Sequence, residues 1–239
     1  MDLKSFVSGI DFSGLQPMDH GIALLTLERE GAMGSAADVH ITRLPEKDAF
    51  YKERLKDICA MRRMSTFAIG ATINRIVSEL PEGTAFVNVG VWNGFSLLSG
   101  MAGNADKRCV GIDNFSEFGG PKEAFLERFN ARRSAVHEFH EMDYAKYFAT
   151  THAGEIGLYL YDGDHAREHQ CMGLALAERF FSRDCIILID DINFADPMDG
   201  TVDFLNASKN RYELIAEVHT AHNRHPTFWN GLAILKRLG

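Results

Sequence analysis

After Pro81 the chain alternates short apolar runs with longer helix-forming stretches, and this rhythm limits its fold more than any other feature. The runs are AFVNVGV (85–91), CVGI (109–112), AVHEF (135–139), IGLYLY (156–161) and CIILI (185–189). Each has strand length and is bounded by Gly, Asp or Asn. Between them LLSGMAGNA, PKEAFLERFNARR, DYAKYFATTH and AREHQCMGLALAERFF read as helices. In the last, Met172, Leu176 and Phe180 recur every four residues. Strands that are apolar almost throughout and alternate with helices imply a parallel sheet covered on both faces. The rhythm breaks at YELIAEVHT (212–220) and TFWNGLAILKRL (227–238), which only AHNRHP joins. A crossover helix does not fit in so short a connection, so the two runs should pair as an antiparallel hairpin. The expected fold is α/β: a Rossmann-like, mostly parallel seven-stranded sheet with helices on both faces and a C-terminal antiparallel hairpin strand.

Upstream of this region the pattern is weaker. EREGAMGSAADVHITRLPEKDAF mixes small, polar and turn-forming residues without a clear period, and Glu46 to Met64 is charged and helix-prone. Residues 1–64 are therefore expected to form an N-terminal arm or helical lid, and 65–239 the main domain. The stretch STFAIGATINRIVSEL has Ile69, Ile73, Ile76 and Leu80 at helical spacing. Ser65 or Thr66 is placed to cap its start, and Pro81 with Gly83 marks its end.

Apolar residues make up 46% of the 239 and charged residues 24%, which excludes a disordered chain and supports a real core. The net charge of −8 lacks the basic field that nucleic-acid binders use and argues against such a partner. Cys59, Cys109, Cys171 and Cys185 form no Cys-x-x-Cys pair and suit neither a zinc ribbon nor a disulfide framework. They read as reduced thiols. MDLKSFVSGIDF lacks a signal-peptide pattern, and no run approaches the ~18 apolar residues of a membrane span. The expectation is a cytoplasmic protein without a membrane partner; the composition leaves open whether it forms a homo-oligomer.

An open α/β sheet binds its ligand beyond the carboxyl ends of its strands, where strand order reverses. The first strand runs into Asn88-Val-Gly90-Val-Trp92-Asn93-Gly94-Phe-Ser96, whose glycines allow close backbone approach. The second ends in Asp113-Asn114, and 23 residues separate Asp113 from Gly90, the distance at which an acid meets both hydroxyls of a ribose. Asp143 follows the third strand; Asp162, Asp164 and His165 follow the fourth; Asp190, Asp191 and Asn193 follow the fifth. Any single Asp there is explained by a helix cap or turn, and Asp164 is well placed to cap. Carboxylates at every one of these later strand ends would repel one another unless a cation or polar ligand sat among them.

VNVGVWNGFS, GIDNF, YLYDGDHAREH and CIILIDDIN together resemble the class I S-adenosylmethionine-dependent methyltransferases over roughly residues 65–239, and within them the macrocin O-methyltransferase type of small-molecule enzymes. The resemblance implies that S-adenosylmethionine is held by Asn88, Gly90, Trp92, Gly94, Ser96, Asp113, Asn114, Asp143 and Asp162. It also implies a divalent metal, Mg²⁺ before Zn²⁺, on Asp162, Asp190 and Asp191, with 28 residues between the first two. Asn88 departs from the acidic residue usual in that family, and Trp92 stands where many members have Gly.

The implied reaction moves a methyl group from a sulfonium to a hydroxyl of a small molecule, a sugar or a natural-product diol. A carboxylate-bound cation would acidify that hydroxyl, and Asp162 or His165 would take its proton. His165 and His169 sit four apart without the Glu of a metalloprotease, and His219, His222 and His225 read as a solvated turn. Trp229, Phe180 and Phe181 read as core. A nicotinamide-dependent oxidoreductase is a second reading, disfavoured because Trp92 replaces the middle glycine of its fingerprint. A non-catalytic cofactor- or metal-binding protein is a third, for which Asn88 is the main hint.

Overall fold

The computed structural model describes residues 2–20 and 37–239. Residues 21–36, the middle of the arm expected to act as a lid, lie outside the described residues. A two-stranded antiparallel ribbon pairs β1 (Asp11–Phe12) with β2 (Thr42–Arg43). The main sheet contains β3 (Thr84–Val89), β4 (Arg108–Asp113), β5 (His137–Glu141), β6 (Glu155–Tyr161), β7 (Phe181–Asp190), β8 (Arg211–Val218) and β9 (Leu232–Leu238). Their spatial order is β5-β4-β3-β6-β7-β9-β8, with β9 running against both of its neighbours. Strand order reverses at β3, which lies between β4 and β6. The expected seven-stranded sheet is observed.

Side-chain alternation divides the core between the two faces of this sheet. Phe86, Leu158, Leu160, Ile186 and Leu188 pack on one face; Val87, Val89, Tyr159, Ile187 and Ile189 pack on the other. The first face is covered by the helix Phe67–Ser78, which buries Ile69, Ile73 and Ile76. The described parts of the N-terminal region join this same face: Leu3, Phe6, Val7, Phe12 and Leu55 are buried in one cluster with those isoleucines.

Two local expectations need correction. The helix beginning at Phe67 is not capped by Ser65 or Thr66. Asp38 reaches across and accepts the Phe67 N–H at 2.6 Å, while the Thr66 hydroxyl donates to the Thr227 carbonyl. Asp38 is itself held by a fully buried two-point ion pair with Arg63, at 2.8 and 2.6 Å. Second, β9 begins at Leu232 and not near Thr227, because residues 225–231 close a tight turn with a His225–Trp229 bridge and positive φ at Trp229 and Gly231. A helix that the sequence reading did not anticipate, Ala195–Ala207, fills the connection between β7 and β8. Its Pro197 and Gly200 mask it in sequence. Proline is tolerated in a first turn, and a Cβ at Gly200 would stand 2.4 Å from the Arg167 carbonyl of the neighbouring helix Arg167–Glu178. Among the described residues no helix is long and apolar enough to cross a membrane.

Candidate active site

The carboxyl ends of β3, β4, β6 and β7 open into a cavity of roughly 1170 Å³, closed on one side by residues 223–230 of the turn before β9. At its floor the chain leaves β3 through Gly90, whose φ of +77° is a glycine conformation. The requirement comes from packing: a Cβ at Gly90 would lie 1.8 Å from the Asp162 carbonyl oxygen at the end of β6. The approach that this glycine permits is between two strand ends, where the sequence pattern suggested a ligand.

Trp92 also has positive φ, +44°, which explains why a glycine would be natural at this position. Asp113 holds it there. One carboxylate oxygen accepts the N–H groups of Val91 and Trp92 at 2.9 and 2.8 Å, and the other accepts Phe115 N–H at 2.7 Å. Three backbone donors thus shape the loop around the acid expected to read a ribose. The Trp92 ring is braced by Arg62, 5.2 Å from its centre, and its indole N–H donates to the Phe118 carbonyl.

Gly90, Trp92, Ser96, Asp113, Asn114, Asp143 and Asp162, expected at the cofactor, line the cavity. Two expected cofactor residues do not. Asn88 is fully buried in β3 on the face that carries Phe86, and its amide donates to the Val89 and Gly90 carbonyls. Gly94, with φ +98°, starts the helix Phe95–Met101 and leaves room for Phe125, 2.9 Å from where its Cβ would be. Asp143 caps the helix Tyr144–Thr150 through the Lys146 N–H, and Asn114 turns its carbonyl to Ser116 N–H. Beside these polar groups Ile112, Phe115 and Met142 supply an apolar wall. A flat ring and a polar sugar fit such a surface.

On the far side of β6 stands the acidic half. The His165 imidazole lies between two carboxylates, with Nε2 3.3 Å from Asp191 and 3.6 Å from Asp162. Asp191 has φ +59° and is gripped from behind by the Asn230 amide at 2.7 Å. Asp190 is 7% exposed, and its Oδ1 has no hydrogen-bond partner. Burial, with Asp190, Asp191 and Asp113 close by, pushes the Asp162 carboxyl well above the usual range. Burial and the neighbouring Asp191 do the same to Asp190. Asp191 is raised by burial too, with His165 and the Asn230 bond acting against it.

The structure lends no support to the expected metal on Asp162, Asp190 and Asp191. Among the described residues no group of three or more His, Cys, Asp or Glu side chains is arranged to hold an ion. Asp191, in a left-handed turn, meets Asn230 and His165, and the imidazole lies between Asp162 and Asp191. Nor do the histidines form a zinc pair. His169 contacts Tyr144 and Asp164 instead, at 3.2 and 3.6 Å. Asp164 accepts the Ala166 N–H in a turn before the helix and does not cap it.

Sequence reasoning missed Asn230, Arg224 and Phe194, all of which line the cavity. No periodic signal marks them, because they stand on turns. Trp229 is both core, at 5% exposure, and cavity wall. His225 is fully buried, not solvated, and meets the Asp19 carbonyl and the Thr227 hydroxyl.

Residues 87–192 match a family model described as a methyltransferase domain. Solved structures share the fold at low identity. A methyltransferase of Podospora anserina, bound to SAH, is 13% identical with a TM-score of 0.57, covering 95% of this chain and 100% of that one. A Corynebacterium glutamicum protein is 12% identical at 0.56, covering 90% and 96%. A Klebsiella pneumoniae protein described as an O-methyltransferase is 10% identical at 0.51, covering 93% and 92%. No curated protein sequence matches the chain.

Proposed function

We propose that this chain is a class I S-adenosylmethionine-dependent methyltransferase that methylates a hydroxyl of a small molecule with His165 as proton acceptor; the methyltransferase-domain match over residues 87–192 and the shared fold support this reading. The observation that carries the proposal is the His165 imidazole set between Asp162 and Asp191 on the cavity wall. Sulfonium chemistry supplies an electrophilic methyl group; the protein must align the hydroxyl with it and remove a proton. With Nε2 turned to the carboxylates, Nδ1 is the nitrogen left for an incoming hydroxyl. As the oxygen–methyl bond forms and the sulfur–methyl bond breaks, the hydroxyl proton passes to His165. The imidazolium that results lies against Asp191 and Asp162, which stabilise its charge. S-adenosylhomocysteine leaves as the neutral sulfide. The loop of Gly90 and Trp92, fixed by Asp113, and the wall of Ile112 and Met142 are the side we assign to the nucleoside.

Calorimetry with S-adenosylhomocysteine, followed by a hydroxyl-acceptor screen that reads its release, tests the proposal. His165→Gln should leave S-adenosylhomocysteine affinity within about twofold and lower kcat by about 10²–10⁴, the usual worth of a general base. Turnover untouched by His165→Gln overturns the assignment. So does turnover that vanishes in excess chelator and returns with Mg²⁺, which would restore the cation to the role of activator.

A further inference from the structure

The turn before β9 also meets the N-terminal segment, and histidines gather where the two touch. The His222 and His225 rings lie 4.8 Å apart between centres, and His20 lies 6.4 Å from His222. Asp19 shapes the partner surface. Its carboxylate accepts the Gln16 N–H at 2.7 Å, and its own N–H donates to the Gln16 carbonyl at 3.0 Å, closing a tight turn. Two carbonyls of that turn hold the loop opposite. Pro17 accepts the Ala221 N–H at 2.8 Å, and Asp19 accepts from His225 Nε2 at 3.2 Å. A carbonyl can only accept, so Nε2 carries the proton. Nδ1 is left as the acceptor, facing the Thr227 hydroxyl at 2.7 Å and the Thr227 N–H at 3.4 Å. These contacts fix a neutral tautomer in a side chain that is fully buried.

We propose that this cluster is an acid-released latch: residues 16–20 stay docked on the turn while His225 is neutral, and its protonation releases them. A proton on Nδ1 would confront the Thr227 N–H and place a charge in an enclosed site beside His222. Once undocked, the same imidazole reaches water and ionises without that cost. The titratable groups that act on His225 are Asp19 and His20 from the N-terminal segment and His222 from its own turn. Burial holds the imidazole below its ordinary value; His222 and His20 push the same way, while the Asp19 carbonyl bond and carboxylate oppose them. The sign is therefore definite. Docking is complete above the ordinary histidine value of about 6.5 and weakens as pH falls from there toward the lowered docked value. The consequence reaches the cavity. Trp229 is joined to His225 by two backbone bonds of 2.9 Å, and the next residue, Asn230, grips the Asp191 that faces His165. Release thus loosens the support of that imidazole, although the latch itself does not depend on the methyl-transfer reading.

Hydrogen–deuterium exchange of the full chain at about pH 7.5 and about pH 5.5, normalised to the unfolded chain at each pH, reads the docking directly. Peptides covering residues 13–20 and 219–231 should lose about three- to tenfold in protection at the lower pH, about tenfold being the most that one imidazole contributes over that interval. Residues 185–189 of β7 serve as the control and should keep their protection. His225→Gln retains an N–H for the Asp19 carbonyl and cannot ionise, so its protection should differ by less than about twofold between the two pH values. Should that variant fail to dock at either pH, histidine-labelled NMR of the wild-type chain decides. The His225 ring has to stay the neutral Nε2–H tautomer while the segment is protected and to take up its proton as protection is lost. Protection that does not change with pH overturns the latch, as does an equal loss in β7. So does a pH dependence that survives His225→Gln, or a His225 ring that protonates with the segment still docked.

Discussion

The Asn230 side-chain amide donates to Asp191 Oδ1 at 2.7 Å, while its own carbonyl accepts the Arg224 backbone N–H, also at 2.7 Å. The second bond fixes which way the amide faces, so Asp191 meets a donor and its other oxygen is left toward His165. Asn230 is thereby a positioning residue, acting on the imidazole through Asp191.

Asn230→Ala should lower kcat by about 10–100-fold, the scale of one hydrogen bond to a charged group, with little change in S-adenosylhomocysteine affinity. The Asn230 bond holds the Asp191 carboxyl down against burial. Its loss should therefore move the acid limb of the kcat–pH profile to higher pH. A purely structural role would reduce the amount of folded enzyme and leave that limb in place.

Gly90 is where a single added carbon should do most harm. Its φ of +77° and the 1.8 Å approach to the Asp162 carbonyl leave neither the conformation nor the space for a side chain. Gly90→Ala is expected to part the ends of β3 and β6, abolishing S-adenosylhomocysteine binding in calorimetry and lowering the melting temperature. Retention of near-wild-type affinity would show that the strand ends adjust.

Asp38 ties the N-terminal region to the main domain by accepting the Phe67 N–H, and it is paired with Arg63, both side chains being only 1% exposed. Removing one member strands the other as an uncompensated buried charge. Asp38→Ala also frees the Phe67 N–H that it caps. We expect a loss of about 3–5 kcal/mol in urea unfolding. Replacing both residues together with apolar ones should cost much less, and the difference between the single and double variants measures the coupling.

Much of this architecture is legible in the sequence because its strands are buried on both faces. Runs such as CIILI and IGLYLY announce themselves without neighbours, and the ordered acids after them follow from strand-end geometry. What stays hidden depends on contacts between distant segments. Nothing local in Asp38 says that it will cap a helix 29 residues away, and nothing in Asn230 says that it will grip Asp191. The helix Ala195–Ala207 is obscured because Gly200 answers to a neighbouring helix and not to its own.

Asp190 yields a pH signature with a definite sign. Burial and Asp191 raise its carboxyl well above the ordinary 3.8, so the folded protein prefers the protonated form. Its contribution to stability is fully present below the unfolded value and is lost as pH rises through the raised folded value. Asp190→Asn keeps the shape and removes the ionisation. The variant and wild type should therefore melt alike near about pH 4, with the variant gaining steadily toward about pH 8. Thermal melts across that range, without ligand, check the trend. A gap that is constant with pH would mean that Asp190 ionises freely in the folded protein, and that its environment is far less enclosed than its 7% exposure implies.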